Sequence, residues 1–182
     1  AVFLTGGSAY GLDCAGGVMH CLEQQQIGFD IGVARVPIVP GAALNDLAFG
    51  DAKTRPGLDM GFEACRAARA DEARQGNVGA GTGACIGRLA GNACGSMKGG
   101  LGTASFQVGE LLVGAIVAVN CNGDVIDPET RETLAGTLGP DGKIIGSMKI
   151  LTSPPGKYKE GFPTNTTIGV VASEAPGKRT RS

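Results

Sequence analysis

Glycine is the residue that most restricts how this chain can fold, because it occupies 32 of the 182 positions. The glycines separate well-formed apolar segments and gather in GNVGAGTGACIG (76–87) and MKGGLGTAS (97–105). Such clusters are typical of backbone that turns with positive φ or passes close to another group. Further glycines interrupt the helical pattern of AYGLDCAGGVMHCLEQ. Each costs about 1 kcal/mol relative to Ala, so this helix is predicted to lie tight against a sheet.

Length, charge and composition exclude several classes of protein. A chain of 182 residues suits one domain, 1–182, with a full core. The 16 Lys and Arg residues balance 17 Asp and Glu residues, and aromatic residues make up only 4% of the chain, with no Trp. Neither a surface for nucleic acid or anionic lipid nor a base-stacking platform is therefore expected. No apolar run approaches the roughly 20 residues of a spanning helix, and we expect a soluble, cytoplasmic protein with no nucleic-acid or membrane partner.

The cysteines and the single histidine do not form a metal or cofactor motif. The sequence has no CxxC pair and no zinc spacing, and most of its cysteines lie among small apolar residues, as free thiols in a cytoplasmic protein do. The six are Cys14, Cys21, Cys65, Cys85, Cys94 and Cys121. His20 lies in a predicted helix, and no GxSxG motif accompanies it. We expect neither a metal nor a cofactor.

Apolar periodicity predicts both strands and helices, which places the chain in the α+β class. Predicted helices cover 8–26, with Ser8 as N-cap, and the region around Leu58, Phe62 and Cys65. Predicted strands are the opening AVFLTGG, two strands of TASFQVGELLVGAIVAVNCNGDVID joined at Gly109–Glu110, and a buried strand in TNTTIGVVAS.

The polar, turn-rich segment 127–165 is predicted to be an exposed linker that delivers the chain to the last strand. The sequence opens directly in a strand and stops soon after its last one. We therefore expect a fragment of a longer precursor.

Two readings of NTTIGVV, at the mouth of the last strand, follow from residue chemistry. Adjacent β-branched threonines are ordinary strand residues. Alternatively, Thr166 acts as a nucleophile: its hydroxyl attacks the carbonyl of Asn165, the acyl group shifts from N to O, and water cuts the ester. The freed α-amine, whose pKa is near 7.7–8.0 in model peptides, then serves as the base that the hydroxyl needs. This chemistry requires no histidine.

Several blocks resemble, in order, the self-processing aminopeptidase family of L-aminopeptidase/D-esterases, β-aminopeptidases and nylon-oligomer endo-hydrolases. They are AVFLTGGSAYGLDCAGGVM, VPIVPGAALNDL, GNVGAGTGACIG, MKGGLGTAS, AVNCNGDVIDPET and NTTIGVVASEA. The resemblance implies a four-layer α-β-β-α sandwich of the N-terminal-nucleophile-hydrolase type. It also implies cleavage into two subunits that stay together and form homo-oligomers, and hydrolysis of small peptides, amides or esters without a cofactor.

The resemblance also assigns roles to individual residues. Thr166 matches the nucleophile, Asn165 the residue across the processed bond, and Asn120 an oxyanion-stabilising amide; the plain alternative for Asn120 is a turn residue in NCNGD. Arg88 replaces an expected Lys that acts near the nucleophile, and Arg keeps the charge but cannot serve as a base. Asn45 replaces a usual aromatic residue, which predicts a wider or more polar substrate pocket.

Two alternatives to an amidohydrolase remain open. A degenerate, non-catalytic family member would keep the fold and bind a small molecule or a partner, as the departures at positions 45 and 88 would allow. Nucleotide binding through GNVGAGTG would use a Gly-rich phosphate loop. That loop lacks the GK[ST] of a P-loop, and no acidic residue follows at the spacing of a dinucleotide fingerprint.

Overall fold

A computed structural model describes residues 1–72, 74–90, 95–154 and 166–174 of the chain. Its helices are α1 (Cys14–Gln24), α2 (Leu58–Ala67) and α3 (Ser147–Leu151), with 3-10 turns at Ser8–Asp13, Gly79–Gly81 and Arg88–Ala90. Its strands are β1 (Phe3–Thr5), β2 (Phe29–Asp30), β3 (Arg35–Val36), β4 (Gly41–Ala43), β5 (Cys85–Ile86), β6 (Met97–Lys98), β7 (Gly100–Val108), β8 (Leu111–Val119), β9 (Val125–Ile126), β10 (Thr133–Ala135) and β11 (Ile168–Glu174). The mixture confirms the α+β class, while the four layers stay a prediction.

The largest sheet has three antiparallel strands in the order β11-β8-β7. β7 and β8 form the predicted hairpin: Val108 pairs with Leu111, and the turn uses Gly109 at φ 58°. A two-residue turn with positive φ matches the right-handed twist of the strands it joins. β11 runs along the other side of β8, which brings Thr166 and Thr167 to the end of β8.

The core lies on one face of this sheet, at the end where β8 finishes. Ala118 of β8 is fully buried, and Leu44, Ala80 and Ala84 form the same cluster. Ala80 and Ala84 belong to the glycine-rich loop 76–87, where small residues let the backbone approach the sheet closely. Leu44 directly precedes Asn45, so the core also fixes the position of that residue.

β11 is not the buried strand that its apolar sequence predicts. It contacts β8 along one edge only, and the core cluster reaches only its first residue, Ile168. Val171 is 71% exposed, as is Phe106 on the same face of the sheet. This face lies opposite the one that carries Ala118. An apolar face of this kind is typical of a surface that packs against further structure.

The glycines of α1 face another helix instead of the predicted sheet. A Cβ on Gly17 would strike the carbonyl of Leu58 in α2, and a Cβ on Gly61 would strike the carbonyl of Cys14. Glycine on both sides therefore permits a close crossing of α1 and α2. The predicted helix 8–26 begins with a 3-10 turn whose N-cap is Gly7, and Ser8 itself has φ 55° and is not the cap.

The described part of the predicted linker, 127–154, contains β10 and α3. Most of its residues are exposed, but Thr137 is fully buried and Ser147 is 6% exposed. Asn165 and residues 155–164 lie outside the described residues, as does Cys94. The other cysteines are free thiols. None of the helices in the described ranges is both long enough and apolar enough to cross a membrane.

Candidate active site

The Thr166 side chain lies where the ends of several segments meet, just ahead of β11. Its Oγ1 accepts a hydrogen bond from the backbone N–H of Asn45 at 2.8 Å and from Nδ2 of Asn120 at 2.9 Å. Its backbone N–H donates to the carbonyl of Asn120 at 3.1 Å. Thr166 is half-buried. An ordinary strand residue needs no pair of donors on its hydroxyl, so this arrangement sets Thr166 apart.

Asn120 is the centre of this network and is fully buried at the end of β8. Its Oδ1 accepts from the backbone N–H of Cys85 at 3.0 Å, which directs the amide NH₂ the other way. That NH₂ donates to Thr166 and, at 3.0 Å, to the carbonyl of Asn45. A buried amide with each of these groups paired holds one orientation. Asn120 is therefore a rigid donor and more than a turn residue.

Asn45 contacts Thr166 through its backbone N–H, and Arg88 is linked to Thr166 through the backbone of Asn45. The Arg88 guanidinium donates through Nη1 to the carbonyl of Asn45 at 2.9 Å. The N–H of the same residue donates to Thr166. Arg88 thus holds the carbonyl of the residue whose N–H contacts the threonine hydroxyl. The structure brings Thr166, Asn120, Asn45 and Arg88 together, whereas Asn165 lies outside the described residues.

Short backbone contacts place these residues. The N–H of Leu44 donates to the carbonyl of Thr5 at 2.9 Å, which continues the β1–β4 pairing up to Asn45. Gly87, at φ 77°, donates to the carbonyls of Cys121 at 3.1 Å and Gly123 at 3.2 Å. The turn that carries Arg88 is thereby attached to the turn that follows Asn120. A left-handed glycine suits this position because it leaves room for the neighbouring chain.

Asp46 is a site residue that the sequence analysis missed. Its Oδ1 accepts from the N–H of Gly7 at 2.7 Å, and a Cβ on Gly6 or Gly83 would strike its carboxylate. The carboxylate lines a cavity of about 330 Å³, and Asp46 directly follows Asn45 in the chain. A lone acid directly after Asn45, at the end of the otherwise uncharged VPIVPGAALNDL, was the available signal.

The walls of this cavity are mainly apolar and include Phe49, Met60 and Pro56. The ammonium of Lys98 lies 4.7 Å from the Phe49 ring centroid and donates to three carbonyls of the glycine-rich loop at 2.7–3.2 Å. Burial lowers the pKa of Lys98, and the nearby Cys85 and Asp46 oppose that shift. Lys98 therefore ties the glycine-rich loop to the cavity wall.

Other candidate nucleophiles and metal ligands are less suited to chemistry. Burial raises the pKa of the Cys121 thiol, which keeps it protonated and weakly nucleophilic. His20 is exposed on α1, where it contacts Gln24 at 2.9 Å and the Phe62 ring at 5.6 Å. Within the described ranges, no group of three or more His, Cys, Asp and Glu side chains could hold a metal ion. The hydroxyl of Thr166 is the better placed group.

Two N–H donors hold the hydroxyl of Thr166 at the mouth of a strand in a mixed α and β chain, which makes it a candidate hydroxyl nucleophile. Residues 1–181 match the model of peptidase family S58, and the chain belongs to this family. The resemblance to self-processing aminopeptidases is thereby confirmed.

Three relatives carry the name uncharacterized aminopeptidase. Those of Mycobacterium tuberculosis H37Rv and Mycobacterium bovis are each 42% identical over 184 residues, which cover 96% of this chain and 50% of the relative. That of Mycobacterium leprae is 40% identical over 185 residues, or 96% of this chain and 49% of the relative. The chain spans about half the length of the curated relatives it matches.

Proposed function

We propose that this chain carries the nucleophile of an aminopeptidase-type amidohydrolase that cleaves itself between Asn165 and Thr166. The resulting N-terminal threonine then hydrolyses peptide, β- or D-amino acid amides or esters, or oligoamides, through an acyl-enzyme. The observation that carries this proposal is the pair of donors on Thr166 Oγ1, 2.8 and 2.9 Å away. Membership of a peptidase family and the names of the relatives support the same reaction class.

Self-cleavage would begin when Thr166 Oγ1 attacks the carbonyl carbon of Asn165. The C–N bond breaks, the Thr166 nitrogen takes the proton that the hydroxyl releases, and the Asn165 acyl group becomes an ester on Oγ1. Water then hydrolyses the ester, which leaves a carboxylate on Asn165 and a free α-amine on Thr166. The two N–H donors would hold Oγ1 in position for the attack, in which the negative charge develops on the carbonyl oxygen of Asn165.

Substrate hydrolysis would use the same atoms. The α-amine of Thr166 takes the hydroxyl proton as Oγ1 attacks the substrate carbonyl, and then passes that proton to the leaving amine. The Thr166 nitrogen already lies 3.1 Å from the carbonyl of Asn120. One N–H of the free amine can therefore stay on that carbonyl while its lone pair faces the hydroxyl. Water completes the cycle by hydrolysing the acyl-enzyme, with the amine as base.

Asn120 and Arg88 would supply the electrostatic part of catalysis. The Asn120 NH₂ donates to Thr166 Oγ1 at 2.9 Å, and on substrate binding this N–H would turn to the substrate carbonyl oxygen that gains charge beside Oγ1. A correctly aimed donor of this kind is worth about 2.7–4 kcal/mol of barrier. Arg88 acts through the carbonyl of Asn45 and as a fixed positive charge, not as a base.

The cavity lined by Asp46 would accept a substrate with a free amino group. An aminopeptidase must bind the ammonium of its substrate, and Asp46, which directly follows Asn45 in the chain, offers a carboxylate in the cavity lining. The apolar walls would take the side chain or methylene chain of the acyl residue.

For the protein as a whole we propose the four-layer sandwich, a homo-oligomer of cleaved protomers and a cytoplasmic location. The exposed apolar sheet face that carries Phe106 and Val171 would be covered by the second sheet of that sandwich.

Denaturing mass spectrometry of freshly purified full-length protein tests the central claim. We expect two polypeptides, one of which starts at Thr166, and turnover of small amino acid amides. A chain that remains uncut and hydrolyses neither amide nor ester would support the non-catalytic alternative.

Replacing Asp46 by Asn is expected to raise KM about 10- to 100-fold for substrates with a free amine, because an ion-paired hydrogen bond is worth about 1.5–3 kcal/mol. The kcat should change little, and substrates with an acetylated amine should not be affected. The matched control is Asp51→Asn, which alters a second carboxylate lining the same cavity. Equal KM values for Asp46→Asn and wild type would remove Asp46 from the substrate site.

Asn45→Ala is expected to keep kcat within about threefold, because the contacts at this position come from the main chain. Arg88→Met removes the donor on the Asn45 carbonyl and should lower kcat about tenfold, near the lower end of the effect of a charged hydrogen bond. Steady-state kinetics of the two variants side by side checks both values. The opposite order would assign the role to the Asn45 side chain.

A further inference from the structure

A carboxylate outside the site, that of Asp124, binds two distant parts of the predicted linker. Its Oδ2 accepts from the N–H of Ser147 at 2.6 Å, and its Oδ1 accepts from the Ser147 hydroxyl at 2.7 Å and the N–H of Thr137 at 3.3 Å. We call these three side chains and their contacts the Asp124 clasp. The two bonds from Ser147, at 2.6 and 2.7 Å, are short charge-assisted bonds, which are the stronger class of hydrogen bond.

The clasp is buried and closely packed. Thr137 is fully buried, Ser147 is 6% exposed, and their hydroxyl oxygens lie 3.5 Å apart. A Cβ on Gly136 would strike the Asp124 carboxylate, so the chain at 136–137 passes directly over it. A half-buried carboxylate that accepts from three donors fixes the segments that supply them. The clasp therefore anchors residues 136–147 to the turn that follows β8.

The same turn is connected to the site by a continuous series of contacts. The chain at 136–137 packs on Gly87, where a Cβ would strike the carbonyl carbon of Gly136. Gly87 donates to the carbonyls of Cys121 and Gly123 and directly precedes Arg88. Arg88 holds the carbonyl of Asn45, whose N–H reaches Thr166. The clasp thus holds the chain at 136–137 against the turn of Arg88, which is itself bonded to the turn that follows Asn120.

We propose that Asp124 is a positioning residue for the reaction at Thr166. It contacts no reacting atom; it holds the turn of Arg88 in register with that of Asn120, and so sets the aim of both donors at Thr166 Oγ1. This inference rests on the proposed function. Displacing a catalytic group by about 1 Å can cost about 100-fold in rate. Because Asp124 is four residues from Asn120, a shift of the clasp is expected to change the rate of the reaction strongly.

The test compares Asp124→Asn, Ser147→Ala and Ser147→Thr in the full-length protein. The readouts are the rate of cleavage before Thr166, followed by intact mass after synthesis, and kcat and KM of the cleaved form. We expect Ser147→Ala and Asp124→Asn to slow cleavage and lower kcat about 10- to 100-fold, with KM unchanged. Ser147→Thr restores the hydroxyl and should recover most of the rate. Asp141→Asn, an exposed acid in the same segment that caps a turn, is the control.

Each outcome decides the matter. Cleavage and kcat of Ser147→Ala within twofold of wild type would overturn the proposal, and this mild variant decides alone if Asp124→Asn does not fold. A loss in Ser147→Ala that Ser147→Thr does not restore, or an equal loss in Asp141→Asn, would also overturn it. If the wild-type protein itself stays uncut and inactive, the proposed function fails first. Cleavage by wild type with no effect of the clasp variants rejects the positioning role only.

Discussion

Thr166→Ala is expected to leave the chain uncut and to lower hydrolysis about 10⁴- to 10⁶-fold, as the removal of a hydroxyl nucleophile does in other hydrolases. Without Oγ1 there is no atom to attack the Asn165 carbonyl, and without cleavage there is no free amine to act as base. Intact mass spectrometry and an assay of amino acid amide hydrolysis measure the two losses independently.

The control variants for this prediction lie at the same place in the chain. Thr166→Ser keeps a hydroxyl and should retain part of both activities. Thr167→Ala removes the neighbouring hydroxyl, which accepts from the N–H of Asn120 at 3.2 Å but has no proposed chemical role. The Thr167→Ala protein should still be cleaved before Thr166. Splitting or turnover by Thr166→Ala would require a different nucleophile.

Asn120→Ala is expected to lower kcat about 10²- to 10³-fold, the cost of removing one oxyanion-hole donor. It should also destabilise the fold by about 1–3 kcal/mol, because the N–H of Cys85 loses its buried acceptor. Kinetics and thermal unfolding separate the two effects. The loss of kcat follows from removing the NH₂ donor of Asn120, whereas the loss of stability follows from removing the Oδ1 acceptor of the same side chain.

Asn120→Asp and Asn122→Ala sharpen this test. Asn120→Asp keeps an acceptor for Cys85 but replaces the NH₂ donor, so kcat should fall as far as in Asn120→Ala. Asn122→Ala changes the other Asn of the NCNGD turn, whose side-chain Oδ1 has no hydrogen-bond partner in the described part of the chain, and should leave kcat within about threefold. Similar losses in Asn120→Ala and Asn122→Ala would return Asn120 to the role of a turn residue.

The elements that could be predicted from the sequence are those whose formation depends on residues close together in the chain. The β7–β8 hairpin followed from two apolar runs with Gly109 between them, and α2 followed from the spacing of Leu58, Phe62 and Cys65. These are effects of side-chain periodicity and turn conformation within a few residues. The wrong expectations, a buried β11 and a sheet beneath α1, concern what an element packs against, which periodicity does not state.

The site was predictable only as a set of residue types. The family resemblance named Thr166, Asn120, Arg88 and Asn45. The sequence did not predict that Asn45 acts through its main chain, or that Arg88 contacts the Asn45 carbonyl and acts on Thr166 indirectly. Asp46 and the Asp124 clasp went unnoticed because acids followed by a turn are common in any sequence.

By itself the amino-acid sequence determined the α+β class, the family and the residues able to carry hydroxyl chemistry, since these depend on composition, local spacing and motif order. Only the tertiary structure decided which hydrogen-bond donors reach the Thr166 hydroxyl. Thr166 Oγ1 accepts from the N–H of a residue 121 positions away and from a side-chain amide 46 positions away. Hydrogen bonds of about 3 Å between such distant residues depend on how the elements pack together, because hydrogen-bond geometry has a narrow range of distance and angle, and no local pattern encodes it.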